Sequence, residues 1–475
     1  MTSFYQDTIV APATTPGTGA ISIVRISGPE AFRIADAVVK LSSGPLSAAK
    51  PYTIHYGTVS LEDGSVLDQV LVSVFRAPHS YTGEDAVEIS THASSFIVTE
   101  LVRLLIAAGA RLAQPGEFTQ RAYLNGKMDL AQAEAVADVI SSTTLASHRV
   151  AMNQLRGGYS AQLEALRSEL LEMASLMELE LDFSEEEVEF ADRSRLAQLL
   201  DSARQHIDKL AASFRQGNMI RCGVPVAIVG AANAGKSTLL NALVGEERAI
   251  VTDIPGTTRD TIEESITLNG ILFRFIDTAG IREASDLVEK MGIDRTFRKL
   301  SEADIVLGML DATNLESDLL NNLRLLLSEI DFAAQKLFIL LNKVDHLPKN
   351  GINKIVTTIN SFVTDNNYKV VIIPMSAKVG DGVEALKDAL YNAEKDLIPN
   401  ADSTFVTNER HHEALCKASA SLLACRQALL SGIPTDLVAE DLREAIAGIN
   451  GILGTDLLDP ESILHSIFKN HCIGK

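Results

Sequence analysis

The chain has no tryptophan, only four cysteines and no excess of basic residues. The cysteines are scattered and form no CxxC pair, which argues against a zinc site and a disulfide framework and suits a reducing cytosol. No apolar run approaches the ~18 residues of a membrane helix, and the first residues lack the basic and apolar regions of a signal peptide. We therefore expect a cytoplasmic protein without a membrane segment.

Charge and size set further limits. The 475 residues carry a net charge of −20, so a broad basic face for nucleic acid is not expected, and any such contact would be local or shared with a more basic partner. The composition, 46% hydrophobic and 22% charged, is that of a globular protein. At about 150 residues per domain, this length suggests three domains.

The pattern of apolar residues changes three times along the chain. The first part mixes apolar runs with turn signals and predicts an α/β or α+β domain, of which we expect α/β. Helical spacing follows, then strands alternating with helices in a doubly wound pattern, then helical spacing again. We predict an α/β nucleotide domain inserted into a helical domain, with the parts bounded as 1–120, 121–220, 221–385 and 386–475.

Within these parts the spacing predicts individual elements. We expect one helix over 129–155 with Asp129 as its N-cap, a second over 160–182 and a third over 192–214. Strands of the doubly wound part are predicted at 225–230, 272–277, 304–311, 336–342 and 369–375.

The segment GAANAGKS (230–237) lies between the apolar run VPVAIV and the helical run TLLNALV. It fits GxxxxGK[ST] in the strand–loop–helix context in which backbone N–H groups surround phosphates at a helix N-terminus. Lys236 is expected to reach the β- and γ-phosphates, and the Ser237 hydroxyl is expected to bind Mg²⁺.

Two later segments add to the phosphate side of the predicted site. TTRD (257–260) supplies Thr258, a candidate second Mg²⁺ ligand and γ-phosphate sensor. DTAG (277–280) supplies Asp277 for a metal-bound water and the Gly280 N–H for the γ-phosphate.

The segments NKVD (342–345) and SAK (376–378) predict the base. The Asp345 carboxylate would accept hydrogen bonds from guanine N1–H and the 2-amino group, which adenine lacks. Asn342 and Lys343 would brace the loop and the base, and SAK would offer a backbone N–H to guanine O6. The motifs together predict a GTP site in a Ras-like P-loop G domain, formed by Asn233, Ala234, Gly235, Lys236, Ser237, Thr238, Thr252, Thr257, Thr258, Asp277, Thr278, Ala279, Gly280, Asn342, Lys343, Asp345, Ser376, Ala377 and Lys378.

The residue after DTAG is Ile281, where Ras-like GTPases often have a glutamine that orients the attacking water. Ile281 cannot hold a water, so another group is expected to do so, and the nearby carboxylates are Glu283, Asp286 and Glu289. The phosphate loop also lacks an arginine. The side chain of Asn233 would either brace the loop or offer its oxygen to a monovalent cation that supplies the missing positive charge and that backbone carbonyls of the loop 252–257 would cover.

The whole chain resembles the MnmE (also called TrmE) family of tRNA-modification GTPases. The resemblance is carried by DTIVAPATTPGTGAISIVRISG (7–28), TGEDAVE (82–88), PGEFTQRAYLNGK (115–127), the G motifs and the terminal CIGK (472–475). It implies a cytosolic homodimer that, with a flavin-dependent partner of the GidA type carrying FAD, modifies C5 of the wobble uridine in certain tRNAs.

The resemblance also implies ligands and residue roles. It assigns the water-orienting carboxylate to Glu289, catalytic together with Lys236. It assigns Mg²⁺ to Ser237 and Thr258, and K⁺ to Asn233, Thr252, Ile254 and Thr257. It assigns a tetrahydrofolate, in its 5-formyl or methylene form, to Arg25, Glu88, Lys127 and Lys475.

Two departures from the family pattern stand out. THASS (91–95) replaces a glycine-rich CHGG-like turn, which would alter folate affinity if those glycines allow close approach. Ala232 stands where proline is usual. Cys472 is either a nucleophile toward uridine C6 or part of a tail that orders near the folate.

Two hypotheses of function remain at this point. The first is a GTPase whose hydrolysis drives tRNA modification. The second is a regulatory GTP switch in ribosome assembly, as in Era-type GTPases. The second predicts a basic RNA-binding module beside the G domain, whereas this sequence predicts an acidic helical domain there.

Overall fold

The computed structural model describes residues 7–182, 193–231, 233–247, 264–276, 300–398, 403–431 and 433–455, together with 464, 467, 468 and 474. The chain divides into two compact units. One contains residues 1–140, 154–203 and 417–475, and the other contains residues 141–153 and 204–416. Among the described residues, no helix combines the length and the apolar character needed to cross a membrane.

The first unit begins with a seven-stranded sheet. Its strands are β1 (Ile9–Pro12), β2 (Ile21–Ser27), β3 (Val39–Leu41), β4 (Thr53–Ser60), β5 (Val66–Phe75), β6 (Ala86–His92) and β7 (Arg111–Leu112). They lie in the order β3-β4-β5-β6-β2-β1-β7. All neighbours are antiparallel except β1 and β7. The expectation of an α/β domain is therefore wrong, and the α+β alternative is the one observed.

Three helices accompany this sheet: α1 (Ala31–Val38), α2 (Ser95–Ala107) and α3 (Glu117–Leu124). One face of the sheet is apolar because alternate residues of each strand, such as Val70, Val72 and Val74 of β5, point inward. These valines form one core with Ile34 of α1 and Leu105 of α2.

The segment predicted as one helix over 129–155 forms two, α4 (Leu130–Ser141) and α5 (Leu145–Leu155). Asp129 caps α4 as predicted, because its Oδ1 accepts the Gln132 N–H at 2.8 Å. The break has a local cause. The Thr144 N–H donates to Ser147 Oγ and the Ser147 N–H donates to Thr144 Oγ1, a reciprocal cap that starts a new helix.

Further helices follow: α6 (Gly158–Asp182), α7 (Arg193–Ala212) and α8 (Phe214–Cys222), then, after the second sheet, α13 (Glu409–Leu430) and α14 (Thr435–Leu453). Helices α6 and α14 contact each other within the first unit, and Arg167 Nε donates to Asn450 Oδ1 at 2.6 Å. The buried apolar residues of α6 recur at intervals of three and four, namely Tyr159, Leu163, Leu166, Leu170, Met173 and Met177. A helix that precedes the second sheet in the sequence thus packs against a helix that follows it.

The second unit contains a six-stranded sheet. Its strands are β8 (Val224–Gly230), β9 (Glu264–Leu268), β10 (Ile271–Ile276), β11 (Ile305–Asp311), β12 (Lys336–Asn342) and β13 (Val370–Pro374). The order is β13-β12-β11-β8-β10-β9, and only the β9–β10 pair is antiparallel. Five of these strands match the predicted positions. The strand β9 was not predicted.

Helices α9 (Lys236–Glu247), α10 (Glu316–Ser328), α11 (Lys349–Asp365) and α12 (Val383–Glu394) accompany this sheet. The central parallel strands β11 and β12 are almost continuously apolar, as expected for strands that are buried on both faces. One face packs into a core with α9 and α12, and the other packs with α10 and α11. The predicted doubly wound pattern is confirmed.

Candidate functional site: a nucleotide site at the carboxyl edge of the parallel sheet

The phosphate loop connects β8 to α9, and Lys236 is the first residue of α9. Its ammonium donates to the carbonyl oxygens of Gly230 at 2.8 Å and Ala231 at 3.0 Å. Burial lowers the pKa of Lys236, and a bound phosphate would oppose that shift because negative charge favours the ammonium form. The Lys236 ammonium is thus held against the first residues of the phosphate loop.

Gly235 has a left-handed φ of +103°. A Cβ at this position would lie 2.3 Å from Nδ2 of Asn342. Glycine is therefore needed here for two reasons, backbone conformation and the close approach of a side chain from another strand. Asn233 also has a positive φ, of +61°, a conformation in which asparagine is enriched among residues other than glycine.

Asn342 ends β12 and joins three segments of the site. Its Nδ2 donates to the carbonyl oxygen of Ala234 in the phosphate loop at 2.7 Å. Its Oδ1 accepts the N–H of Ala377 in the SAK segment at 2.9 Å. The side chain is buried, so both halves of the amide are satisfied by backbone groups. This single amide sets the spacing between the phosphate loop, the NKVD loop and the SAK loop.

Asp345 lies in a short turn of 3₁₀ helix, Val344–His346, directly after Lys343. A hydrogen bond from the Ser376 side chain lowers the pKa of Asp345. His346 and Lys378 lower it further through their charge. The carboxylate therefore stays ionised at neutral pH, as an acceptor for two N–H donors of a base must.

The SAK segment is predicted to offer a backbone N–H to guanine O6. In the structure the Ala377 N–H donates to Oδ1 of Asn342. The Ser376 N–H is donated to the Asp381 carbonyl oxygen at 2.9 Å. The structure thus uses these two N–H groups to build the loop itself.

Sequence reasoning missed Asp311, the last residue of β11. Its Oδ2 accepts a hydrogen bond from the Lys343 ammonium at 2.6 Å. One signal was available, since Asp311 is an acidic residue that ends a buried apolar strand on the same edge as NKVD.

Several predicted site residues lie outside the described part of the chain: Thr252, Ile254, Thr257, Thr258, Asp277, Thr278, Ala279, Gly280, Glu289, Cys472 and Lys475. The alternative water-orienting residues Glu283 and Asp286 lie outside it as well. The described site residues Asn233, Ala234, Gly235, Lys236, Ser237 and Thr238 form the loop and the first turn of α9. The assignments of individual site residues remain predictions.

A second cluster lies on β2 and β6, where Arg25 and Glu88 are direct cross-strand partners. Both Arg25 Nε and Nη2 contact the same oxygen, Oε1 of Glu88, at 2.9 and 2.8 Å. The guanidinium lies 5.4 Å from the ring centroid of Tyr81 and 5.6 Å from that of Phe118. Its Nη1 donates to the carbonyl oxygen of Gly474 at 3.3 Å. Arg25 therefore joins a carboxylate, two aromatic rings and the CIGK segment.

Lys127 follows α3, and its ammonium donates at 2.9 Å to the carbonyl oxygen of Pro78, which lies in the same β5–β6 loop as Tyr81. The THASS segment ends β6 and begins α2. Within it, His92 Nδ1 lies 2.8 Å from Oδ1 of Asp68.

In P-loop GTP-binding proteins, a strand–loop–helix segment binds the phosphates. A loop that follows the strand two positions away in the sheet recognises the base at the same edge. The candidate site has this arrangement. Two family models refine this class. One, described as GTP-binding protein TrmE N-terminus, matches residues 8–127, and the other, described as MnmE helical domain, matches residues 130–472. The chain belongs to the MnmE family.

Relatives support this at full length. A protein of Bacteroides thetaiotaomicron named tRNA modification GTPase MnmE is 47% identical, and the alignment covers 99% of this chain and 100% of that protein. A protein of the same name from Porphyromonas gingivalis is 46% identical over 100% of this chain and 99% of its own. Among solved structures, an Aquifex aeolicus Era variant bound to GDP·AlF4⁻ is 26% identical, covers 42% of this chain and 66% of that chain, and has a TM-score of 0.28.

Proposed function

We propose that this protein hydrolyses GTP to GDP and phosphate, and that hydrolysis drives modification of C5 of the wobble uridine in certain tRNAs. The observation that carries the proposal is the Asn342 side chain, which joins the phosphate loop to the SAK loop beside the ionised Asp345. Membership of the MnmE family supports tRNA modification over a role in ribosome assembly.

The residues available suit Mg²⁺ and K⁺. Ser237, the second residue of α9, supplies a hydroxyl oxygen, which Mg²⁺ prefers as a ligand. Asn233 supplies a neutral amide oxygen on an exposed part of the loop. These metals would neutralise charge on the β- and γ-phosphates. Thr258 would complete the Mg²⁺ ligands, and Thr252, Ile254 and Thr257 those of K⁺.

We propose Glu289 as the residue that orients the attacking water. The proposal rests on Ile281, whose side chain cannot hold a water, and on the family resemblance. A carboxylate accepts a proton or a hydrogen bond from water and so can fix the direction of attack.

A tetrahydrofolate is proposed for the cluster around Arg25. Because Arg25 uses only Oε1 of Glu88, Oε2 of Glu88 would accept N–H groups of a pterin ring. The rings of Tyr81 and Phe118 border the same position and suit a flat heterocycle. Lys127 and Lys475 would bind the acidic tail of the folate. When bound, the folate, in its 5-formyl or methylene form, would supply the one-carbon unit.

Three parts of the proposal rest on the family resemblance alone: a homodimer, a GidA-type partner that carries FAD, and tRNA as the substrate. A cytoplasmic location and a G domain over 221–385 inserted into a helical domain are proposed from the sequence pattern together with the resemblance. Cys472 is proposed to lie near the folate, either as a nucleophile or as part of an ordered tail. With a net charge of −20, the chain would share the tRNA contact with its partner.

The test is GTP turnover in K⁺ and in Na⁺ at equal ionic strength, with and without the flavin-dependent partner, and with ATP as the control nucleotide. We expect turnover of GTP but not ATP, and faster turnover in K⁺. Equal rates in the two salts would remove the cation proposal, and equal turnover of ATP would remove the GTP site.

A further inference from the structure

Asp311 lies beside the predicted base loop because of strand register. It ends β11, and Asn342, which ends β12, is its direct partner in the parallel pair. The Ala312 N–H donates to the Asn342 carbonyl oxygen at 2.9 Å. The backbone alone therefore brings the Asp311 carboxylate to the start of NKVD.

The carboxylate of Asp311 is held on both oxygens. Oδ1 accepts the backbone N–H of Thr313 at 3.0 Å and its hydroxyl at 2.6 Å. Oδ2 accepts the Lys343 ammonium at 2.6 Å. Burial by itself would raise the pKa of Asp311, but the hydrogen bonds from Lys343 and Thr313 outweigh it and lower the pKa. Asp311 is thus an ionised, oriented partner for one lysine.

Lys343 is the residue whose backbone turns the chain toward Asp345. Its φ is +67°, a left-handed conformation that is uncommon for lysine. The turn Val344–His346, which carries Asp345, begins at the next residue. A contact that fixes Lys343 therefore bears on where Asp345 points.

We infer that Asp311 is a positioning residue for guanine recognition: it holds the Lys343 ammonium at the end of β11 and thereby fixes the turn that presents Asp345 to the base. The inference rests on the proposed GTP site. Because the Lys343 charge is directed to Asp311, the lysine acts on the nucleotide through its aliphatic stem and its backbone. Asp311 acts on affinity and base discrimination, and not on the chemical step.

Three variants of the full-length protein test this: Asp311→Asn, Lys343→Met and the double variant. Asp311→Asn keeps the size of the side chain and an acceptor for Thr313 but removes the charge that Lys343 requires. We expect KM for GTP to rise about tenfold, the scale of losing one charge-assisted hydrogen bond, with kcat at saturating GTP unchanged. The preference for GTP over inosine triphosphate, which lacks the 2-amino group, should shrink. In the Lys343→Met background, Asp311→Asn should cause no further rise in KM for GTP and no further loss of the preference for GTP.

Glu394→Gln is the matched control. Its Oε1 accepts the Lys336 ammonium at 2.8 Å, so it belongs to a similar ion pair at the other end of β12. It should leave KM for GTP and the GTP-to-inosine preference unchanged. A wild-type KM and preference in Asp311→Asn, or an equal loss in the Lys343→Met background, would overturn the inference while leaving the GTP site intact. Failure of the wild-type protein to bind GTP would instead overturn the proposed function and this inference with it.

Discussion

The side-chain Nδ2 of Asn342 donates a hydrogen bond to the carbonyl oxygen of Ala234 over 2.7 Å, although the two residues are 108 positions apart. The bond joins the loop expected to bind phosphates to the loop expected to bind the base. Since Asn342 and Ala234 are both buried, the loops cannot separate without leaving the Asn342 amide without a hydrogen-bond partner. Affinity for the phosphates and recognition of the base should therefore depend on each other.

Gly235→Ala should disrupt this bond. The new Cβ would collide with Nδ2 of Asn342 and would sit at a φ that alanine disfavours. We expect affinity for a fluorescent guanine nucleotide to fall about 100-fold, the scale of ~2.7 kcal/mol, while far-UV circular dichroism stays unchanged. Gly245→Ala in α9, the helix that follows the phosphate loop, is the control, since a Cβ there meets nothing within 4 Å. Equal affinities of both variants would contradict the role of the Asn342 contact.

Asp345→Asn should change the preferred base. An amide can donate to the 2-oxygen of xanthine but cannot accept from both guanine N–H groups. We expect KM for GTP to rise and KM for xanthosine triphosphate to fall, measured by steady-state hydrolysis.

The ionised Asp345 carboxylate also sets an expectation for the pH dependence of the wild-type protein. Its lowered pKa means that the carboxylate protonates only below its ordinary range near 3.8. GTP affinity should therefore be constant between about pH 5 and about pH 8 as far as this group is concerned. Unaltered base preference in Asp345→Asn would rule out the NKVD assignment.

Glu289→Ala should lower kcat about 100-fold, the usual contribution of a residue that handles a proton or a water. Affinity for GTP should hardly change, because the residue is proposed to act on the water and not on the nucleotide. Single-turnover hydrolysis and nucleotide titration separate the two effects. Glu283→Ala and Asp286→Ala are the controls, and a larger loss of kcat in either would transfer the role to that residue.

Arg121→Met should destabilise the first unit. Arg121 is fully buried and donates to the carboxylates of Asp7, Glu84 and Glu117. Removing the guanidinium would leave Glu117 buried with fewer donors, at a cost of about 3 kcal/mol. Hydrogen exchange in peptides from residues 7–124 should accelerate, with residues 300–398 as the internal reference. The exposed Arg103, which pairs with Glu62 and Glu100, provides the control Arg103→Met, for which little change is expected. Unchanged exchange in Arg121→Met would show that the cluster contributes no stability.

The same cluster predicts that the first unit loses stability at acidic pH. Burial would raise the pKa of Glu117, but hydrogen bonds from Arg111, the Gln114 N–H and Arg121 lower it overall. A lowered folded-state pKa gives stability that is present above the unfolded value of 4.5 and is lost as pH falls through the folded value. Acid titration followed by circular dichroism should show this loss in the wild type and a smaller pH dependence in Arg121→Met.

Glu88→Gln should weaken binding of 5-formyltetrahydrofolate. The charge that pairs with Arg25 and would accept the pterin N–H groups is removed, while the shape is kept. We expect about a tenfold loss by calorimetric titration. The exposed Glu62→Gln is the control, and equal affinity of the two variants would place the folate elsewhere.

Some local features were readable from the sequence but were missed. The strand β9 pairs with β10 through Asn269 and Gly270, whose φ values are +48° and +89°. An Asn-Gly pair between apolar strands is a strong hairpin signal. The break at Thr144 also had a signal, a hydroxyl residue followed three positions later by Ser147, which was weaker than the usual pairing with glutamate or glutamine.

The sequence by itself determined the phosphate loop, the strands that lead to NKVD and SAK, and the family. Each of these depends on a few contiguous residues, because glycine conformations, apolar runs and capping are local properties. Only the tertiary structure decided that Asn342 reaches Ala234, that Asp311 holds Lys343, and that Arg25 meets Gly474. These contacts follow from strand order and register, which are set by the packing of each sheet against its helices and which no local pattern specifies.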